Sequence, residues 1–489
     1  MMSITLDIEN CKEEMPTFST LEKEVFRFVT DIGCQIISRI LEEQDETLRS
    51  NRDRGRYRCK GKRKTSVKTR LGVVEYRRNV YQDRQSGEGK QCVYLLDEQL
   101  ALNTVGLISS EVCIQAIQSV CEGSYRAASR QISETTGLTI SPQGVWNIVQ
   151  QLGNSREKTV ERYAELSDAK ASKGSIESKL LYEENDGVWL KLQGKDRKEN
   201  GVSKEMKVGI AYDGVLWSGG KNGKQRRTLD NKVSYASFET AATFRRHKEG
   251  IIANQYNVDE IQQRILNGDG AAWLQKRGGS EDILVLDEFH RNKKITECVK
   301  DKEFAQTLRE LLYEKRIEDL ISCIEAQLNS IEDESEIDGL NKLLSYYTEN
   351  KASLLGYYDR GIEIVETREP GKVHHARLGS MESNVFTLIG NRMKDRRCCW
   401  SIAGANHLAS LLCLKHTTGF ESLFQALPPL PKPEAKAEEE EVGSILPASK
   451  IPERIGKGYS FPHSFSFAEN PGWHNSYSNY FQFPDLNLF

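Results

Sequence analysis

Three carboxylates stand out by the company they keep. Asp186 lies in an apolar run, with Leu181 and Tyr182 before it and Val188 and Trp189 after it. Burying a charge there is costly unless a cation or hydrogen bonds compensate. Asp269 sits in a tight Gly-Asp-Gly turn, where missing side chains let another group approach closely. Glu382 opens a helical segment with the apolar stripe Val385, Leu388 and Ile389, and its spacing from that stripe points it inward. Carboxylates on separate elements of an α/β sheet can hold two divalent cations, which activate an attacking oxygen and stabilise the leaving one in phosphoryl transfer. Each residue also has a plainer explanation. Asp186-Gly187 reads as a hairpin turn, Asp269 as another turn, and Glu382 as a favourable charge at a helix N-terminus.

Pattern alone favours Asp287 over Asp269 as the second carboxylate. Asp287 ends the clearest strand, Ile283 to Asp287, and His290 follows three residues later as either a partner or a structural histidine closing the strand. Asp213, in Tyr-Asp-Gly, is a spare. Just past Glu382, the cations Arg392, Lys394, Arg396 and Arg397 could grip phosphates, and Trp400 could stack on an unpaired base. The plainer alternative is a basic helix end with a core tryptophan.

The elements that must carry these groups follow from periodicity. Leu21 to Leu41 reads as a helix, with Ser19 and Glu22 forming a capping box. Between Arg49 and Arg78 there are thirteen Lys and Arg against two acids, a net +11 in 30 residues. Thr65 to Tyr81 reads as two strands around Leu71-Gly72, so this charge decorates a hairpin, with Tyr57, Tyr76 and Tyr81 interleaved. Such density points to phosphate contact through Arg56, Arg58, Lys60, Lys62, Arg63 and Lys64. Ser124 to Thr135 is a short helix, and Ser141 caps another with Pro142 at its first position. Together they make a helix-turn-helix whose second helix presents Gln143, Asn147 and Gln150 to base edges, or else an ordinary helical hairpin.

After a polar linker, Lys179 to Gln193, Met206 to Val215 and Val233 to Glu239 read as three hairpin strands. A helix around Val258 to Leu266 and the strand at Ile283 follow. That order is the one expected of a ribonuclease-H-like α/β domain. Residues 293 to 359 read as helical, as do 380 to 414. Pro428 to Val442 is a Pro-rich, acidic linker, and the tail from 443 to 489 has no assignable fold. Along the chain this gives a helix to 48, a basic hairpin region at 49–105, a helix-turn-helix at 106–168, and an α/β domain at 178–292 and 376–420 with an all-α insertion at 293–375.

The segments NDGVWLKLQ, NGDGAAWL, LDEFHRNKKI and GSMESNVFTLIGNRMKDRRCCWSIAGANHLA resemble the transposases of ISLre-type bacterial insertion sequences, relatives of the Mutator-like transposases, over roughly residues 20 to 420. The resemblance implies an Asp-Asp-Glu triad at Asp186, Asp269 and Glu382 that binds two Mg2+ ions, with Mn2+ able to substitute. It also implies a ribonuclease-H-like fold with an all-helical insertion before the glutamate. By the Asp-x-x-His motif that follows the second aspartate, it gives Asp287 and His290 a supporting role. The expected function is DNA transposition. The N-terminal region would bind terminal inverted repeats, and strand cleavage would be followed by strand transfer. The expected partners are double-stranded DNA and further copies of the chain on that DNA. A non-catalytic helix-turn-helix regulator and a nuclease without strand transfer are the alternatives.

Whole-chain numbers constrain less. Across 489 residues, 68 Lys and Arg nearly balance 71 Asp and Glu, which averages over the basic hairpin. No apolar run approaches a membrane span, and the N-terminus MMSITLDIENCKEE lacks an apolar signal region. The eleven cysteines contain no CxxC pair, which favours reduced thiols over disulfides or structural zinc. The expected setting is the bacterial cytoplasm, at the nucleoid.

Overall fold

The computed structural model describes residues 17–85, 92–100, 107–219, 225–270, 282–365, 378–394 and 398–425. The first helix, α1, runs over Phe18–Asn51 and is longer than its apolar periodicity suggests. It starts at Thr17, whose side chain accepts from Thr20 N, and the Ser19–Glu22 capping box is not used. The second half of α1 packs on a hairpin of β1 (Tyr57–Thr69) and β2 (Gly72–Asp83). Leu41, Cys34, Ile37 and Leu48 meet Val67, Val74 and Tyr76 in a small core. Asp45 of α1 is buried and accepts from Asn79 N and Nδ2 at 2.8 and 2.6 Å, which fixes the helix along β2. The hairpin turns between Thr69 and Gly72, as the sequence indicates, and Gly72 holds φ +133°. β3 (Cys92–Val93) and α2 (Leu95–Gln99) close this part.

Three helices follow: α3 (Ser110–Glu122), α4 (Tyr125–Thr135) and α5 (Pro142–Asp168). Ser141 caps α5, as read from sequence, and Ser124, read there as the first residue of α4, is its cap. α4 and α5 are two successive helices joined by a short turn, and the second runs for 27 residues into the body of the protein.

The body is a mixed α/β structure around a five-stranded sheet. Its strands are β4 (Leu180–Lys191), β5 (Ser203–Tyr212), β8 (Val233–Ser237), β9 (Gln263–Gly268) and β10 (Asp282–Leu286). The spatial order is β10-β9-β4-β5-β8. β4, β5 and β8 pair antiparallel, whereas β9 runs parallel to both β4 and β10. Two elements between the strands were not foreseen: a short helix, α6 (Gly194–Asn200), and a separate hairpin of β6 (Gly214–Gly219) and β7 (Gln225–Asp230).

The helix expected at Val258 to Leu266 is a single 3-10 turn, Val258–Glu260, that leads into strand β9. Leu266 and its neighbour Ile265 lie in β9, an inner strand covered on both faces, and a short apolar run of that kind has no period to separate it from helix. The true crossover helix is α7 (Ala241–Gln255), capped by Thr240. Its mixed composition, AATFRRHKEGIIANQ, hid it.

One sheet face packs on α7 and the end of α5 through Leu181, Tyr235, Phe244, Ile252 and Val160. The other packs on α3, α4, the start of α5 and the last helices in the largest core. Beyond β10, α8 (Glu288–Cys298), α9 (Lys302–Tyr313), α10 (Ile317–Leu328) and α11 (Glu334–Glu349) build the expected helical segment. It has its own core of Ile295, Leu308, Leu320, Leu343 and Tyr347, joined to the sheet at Leu286. The chain then returns as α12 (Met381–Val385), wound on as a π-helix over Phe386–Lys394, and α13 (Ile402–Lys415). The acidic linker and the tail lie outside the described residues. Among those residues, no helix is long and apolar enough to cross a membrane.

Candidate functional site

β4 passes through the middle of the sheet, and its side chains alternate between two polar systems. On one face, Glu183 is fully buried and pairs with Lys248 at 2.7 Å and Arg264 at 2.9 Å, a structural ion cluster against α7. On the other, Glu184 accepts from Tyr212 Oη at 2.8 Å, Asn267 Nδ2 at 3.0 Å, and the backbone N–H groups of Gly379 and Ser380 at 2.9 and 3.1 Å. Those last two bonds tie the entrance of α12, and with it Glu382, to the central strand. Burial pushes the Glu184 carboxyl up, and its hydrogen-bond donors oppose that.

Two residues on, Asp186 lies within β4, opposite Val208 of β5, so the hairpin-turn explanation for Asp186-Gly187 does not hold. Its Oδ1 stands 3.7 Å from His290 Nε2 and accepts from Gly187 N at 2.7 Å. Asp287 does not end the strand; it caps α8. Its Oδ1 accepts from the N–H groups of Phe289 and His290 at 3.0 and 3.2 Å and faces His290 Nδ1 at 3.2 Å. Its Oδ2 accepts from Asn267 Nδ2 at 3.1 Å. A continuous polar path therefore runs Asp186, His290, Asp287, Asn267, Glu184.

The electrostatics follow from that packing. Burial pushes the Asp186 carboxyl up; His290 opposes the rise, and the charges of Asp269 and Asp287 add to it. For Asp287 burial acts the same way, yet hydrogen bonds from His290 and Asn267 outweigh it and hold the carboxyl below its ordinary value. Burial pulls His290 down, but Asp287, Asp186 and Asp269 together hold the imidazole above its ordinary value.

Asp269 follows the last residue of β9, and its carbonyl accepts from Tyr346 Oη of α11 at 2.7 Å, so the helical segment touches this turn. Glu205 of β5 belongs to the same neighbourhood. Burial raises its carboxyl, as do the charges of Asp269 and Asp186, while Lys207 opposes them. A Cβ on Gly187 would lie 2.2 Å from Glu205 Oε1, so this carboxylate rests in the space that the glycine leaves.

Glu382 departs from expectation. It is exposed, and the buried positions around it are Met381 and Asn384. The reading that pointed it inward assumed a single α-helical period from Glu382 to Ile389. The winding changes to π at Phe386, which rotates Leu388 and Ile389 away from that alignment. Among the described residues, no three His, Cys, Asp or Glu side chains come close enough to hold a metal ion. Asp186, His290 and Asp287 lie together, the charge of Asp269 reaches them, and the helix that carries the exposed Glu382 is tied to β4 through Glu184. Asp213, the spare, is buried beside β7, and its Oδ2 accepts from Asn231 Nδ2 at 3.0 Å.

Glu184, Glu205 and Asn267 escaped sequence reading. The available signal was alternation: Glu184 and Asn267 each precede a candidate aspartate by two residues, and so share its strand face.

The residues expected to meet DNA divide in two. On the hairpin, Arg58, Lys60, Lys62, Arg63 and Lys64 are exposed along β1, the edge strand. Arg56 is fastened to Asp83 by a forked ion pair, the closest contact being 2.9 Å. Tyr76 and Tyr81 are buried, so these interleaved aromatics serve the core. On α5, Gln143 is exposed and donates to Asn147 Oδ1 at 3.1 Å. Gln150, one turn further, faces inward, with its Oε1 2.7 Å from His407 Nδ1 of α13, and is not available to a base. Arg392 is buried at 4% exposure; its Nε donates to the Val120 carbonyl and its guanidinium lies over the Trp400 ring at 5.4 Å. Trp400 is buried too and donates to the Met393 carbonyl at 2.9 Å. Arg392 is held by α3 through its bond to Val120, and Trp400 by the end of β4, where its backbone N–H donates to the Lys191 carbonyl at 2.9 Å. Lys394 is exposed. Arg396 and Arg397 lie outside the described residues.

The chain is 23% identical over 439 residues to the "UPF0236 protein in vanSb 3'region" of Streptococcus gallolyticus, covering 87% of this chain and 88% of that protein. It is 22% identical over 361 residues to "UPF0236 protein TTE2489" of Caldanaerobacter subterraneus subsp. tengcongensis, covering 72% and 71%. A further relative from the same organism, 23% identical over 361 residues with 72% and 70% covered, bears the joint name TTE0033/TTE0744/TTE0838/TTE0852/TTE1082/TTE1247/TTE1519/TTE1678/TTE1739/TTE1823/TTE2212. Residues 11–421 match the family described as "Uncharacterised protein family (UPF0236)", and the chain belongs to that family.

Proposed function

We propose that this protein is the DNA transposase of an insertion sequence, acting through Asp186, Asp269 and Glu382 in a ribonuclease-H-like domain. The observation that carries the reading is the position of Asp186 on one strand of this particular sheet and of Asp269 just past the end of the strand beside it. Numbered by their own succession, the five strands lie in the order 5-4-1-2-3, the first three antiparallel and the last two parallel to the first. Asp186 is on the first of these strands, and Asp269 directly follows the fourth. The joint name of one relative adds support. Eleven designations for one protein in a single organism suit a gene that copies itself around a genome.

The donor chemistry suits a hard divalent cation. Asp186 is raised partly by the neighbouring charge of Asp269, and a cation between them would relieve that repulsion. Asp186 and Asp269 would hold it, with Glu382 approaching from the start of α12. Bound there, Mg2+ supplies charge stabilisation for a phosphoryl group and a more acidic attacking water or hydroxyl. The chain's own residues do the positioning. Asp287 orients His290 toward Asp186, and Glu184 anchors the helix entrance that carries Glu382. Exposed cations of the hairpin and the start of α5 would hold the element end.

The test uses the full chain, DNA from the two flanks of its gene, and Mg2+. Strand cleavage and joined products are expected, each reduced by at least about 100-fold in Asp186→Asn, Asp269→Asn and Glu382→Gln. Tight, metal-independent binding with no cleavage would make the protein a regulator instead. Nicked but never joined DNA would make it a nuclease.

A further inference from the structure

The first half of α1 carries an apolar stripe that is exposed as far as Phe28, with no described residue covering it. Phe18, Leu21, Val25, Phe28 and Ile32 follow each other at spacings of three and four, the a and d positions of a heptad repeat. Phe18 is 79% exposed, Leu21 40%, Val25 52% and Phe28 42%, and Val29 beside them is 57% exposed. Further along, α1 turns its apolar residues onto the hairpin, so the helix has two halves with different duties. Apolar side chains in water at such density mark an interaction surface.

We propose that this stripe pairs with the same stripe of a second copy, forming a parallel two-stranded coiled coil. Three features select that occupant. Every a and d position from 18 to 32 is apolar, which suits a partner with the same repeat. β-branched Val25 and Ile32 at a, with Leu21 at d, favour two parallel strands. The flanking positions favour the same direction. In a parallel pair Glu24 meets Val29 of the other copy, and Asp31 meets Ile36, with no like charges opposed. An antiparallel pair would bring Glu24 toward Glu24. From the exposed fractions, each copy offers on the order of 500 Å². The pair buries about 1,000 Å², the lower edge of specific interfaces, so association depends on concentration. Parallel pairing sets both basic hairpins at the same end of the coil. The proposal does not depend on the catalytic reading.

Sedimentation of the full chain over a concentration series tests it. A monomer–dimer equilibrium is expected. Val25→Glu and Phe28→Glu should each shift it to monomer. At concentrations where the wild type is itself monomeric, their circular dichroism and melting should match it, because both side chains are exposed in the single chain. Under mild oxidation, Val25→Cys should cross-link as a dimer, and Lys23→Cys, on the outer face, should not. A wild-type monomer at all concentrations would mean another segment of the same chain covers the stripe, and would overturn the proposal. So would a dimer that survives both substitutions, or cross-linking at Lys23→Cys equal to that at Val25→Cys.

Discussion

Glu184 shows how much of this site depends on a residue that performs no chemistry. Its carboxylate is fully buried and receives four hydrogen bonds, from Tyr212, Asn267 and the backbone of Gly379 and Ser380. In Glu184→Ala, four buried or half-buried donors lose their acceptor at once. The expected loss of stability is about 3–5 kcal/mol, the scale for breaking a buried charged network. Glu382→Gln is the control, since an exposed position of this kind moves stability by no more than about 0.5 kcal/mol. Urea unfolding of the two variants separates them; equal effects would mean that Glu184 does not hold the α12 entrance. At this scale, Asp186, Asp269 and Asp287 were legible because carboxylates in apolar or glycine-bounded runs are conspicuous. Arg392 and Trp400 were misread because a buried arginine stacked on a tryptophan has the same sequence signature as an exposed phosphate grip.

Among the elements, the hairpin, the Ser141 cap of α5 and β4 were legible, each announced by local chemistry: a Leu-Gly turn, Ser before Pro, apolar residues at both ends of the strand. The α7/β9 boundary was not, because an inner parallel strand has no period and a polar crossover helix has little stripe. Nor could sequence reveal that the hairpin and the α4–α5 turn interlock. Gly137, in the turn between α4 and α5, donates its N–H to the Arg70 carbonyl at 3.0 Å. A Cβ on it would lie 2.1 Å from Leu71 O and 3.2 Å from Thr30 Cβ. These neighbours are a hairpin backbone and a buried threonine of α1, and neither can move aside cheaply. Gly137→Ala is therefore expected to cost about 1–3 kcal/mol through overpacking. It should also loosen the hairpin before the body. Amide exchange would read this as faster exchange in residues 57–83, with protection retained in β4 and β9. Uniform loosening would show that the contact does not specifically dock the hairpin.

At the scale of the whole molecule, a net charge of −3 coexists with a hairpin of the opposite sign, and what matters is which cations are already neutralised. Arg56 is committed to Asp83, Lys62 to Glu46 at 2.5 Å and Lys64 to Glu75 at 2.7 Å. Arg58, Lys60 and Arg63 are exposed on the edge strand, and no ion pair joins them to an acid among the described residues. If the hairpin lies on DNA, these three release counterions most fully. Each phosphate contact contributes about 0.9 to the slope of log affinity against log salt. Replacing all three by Ala should therefore lower that slope by about 3, whatever the DNA sequence. Lys62→Ala should weaken binding by a different route, because it leaves Glu46 with only the longer Arg49 pair at 3.4 Å beside the phosphates. Its penalty should be largest at low salt and fade as screening shortens the reach of that charge. Binding isotherms across a salt series distinguish the two effects. An unchanged slope in the triple variant would remove the hairpin from the DNA interface and leave the start of α5, with Gln143 and Asn147, to carry recognition alone.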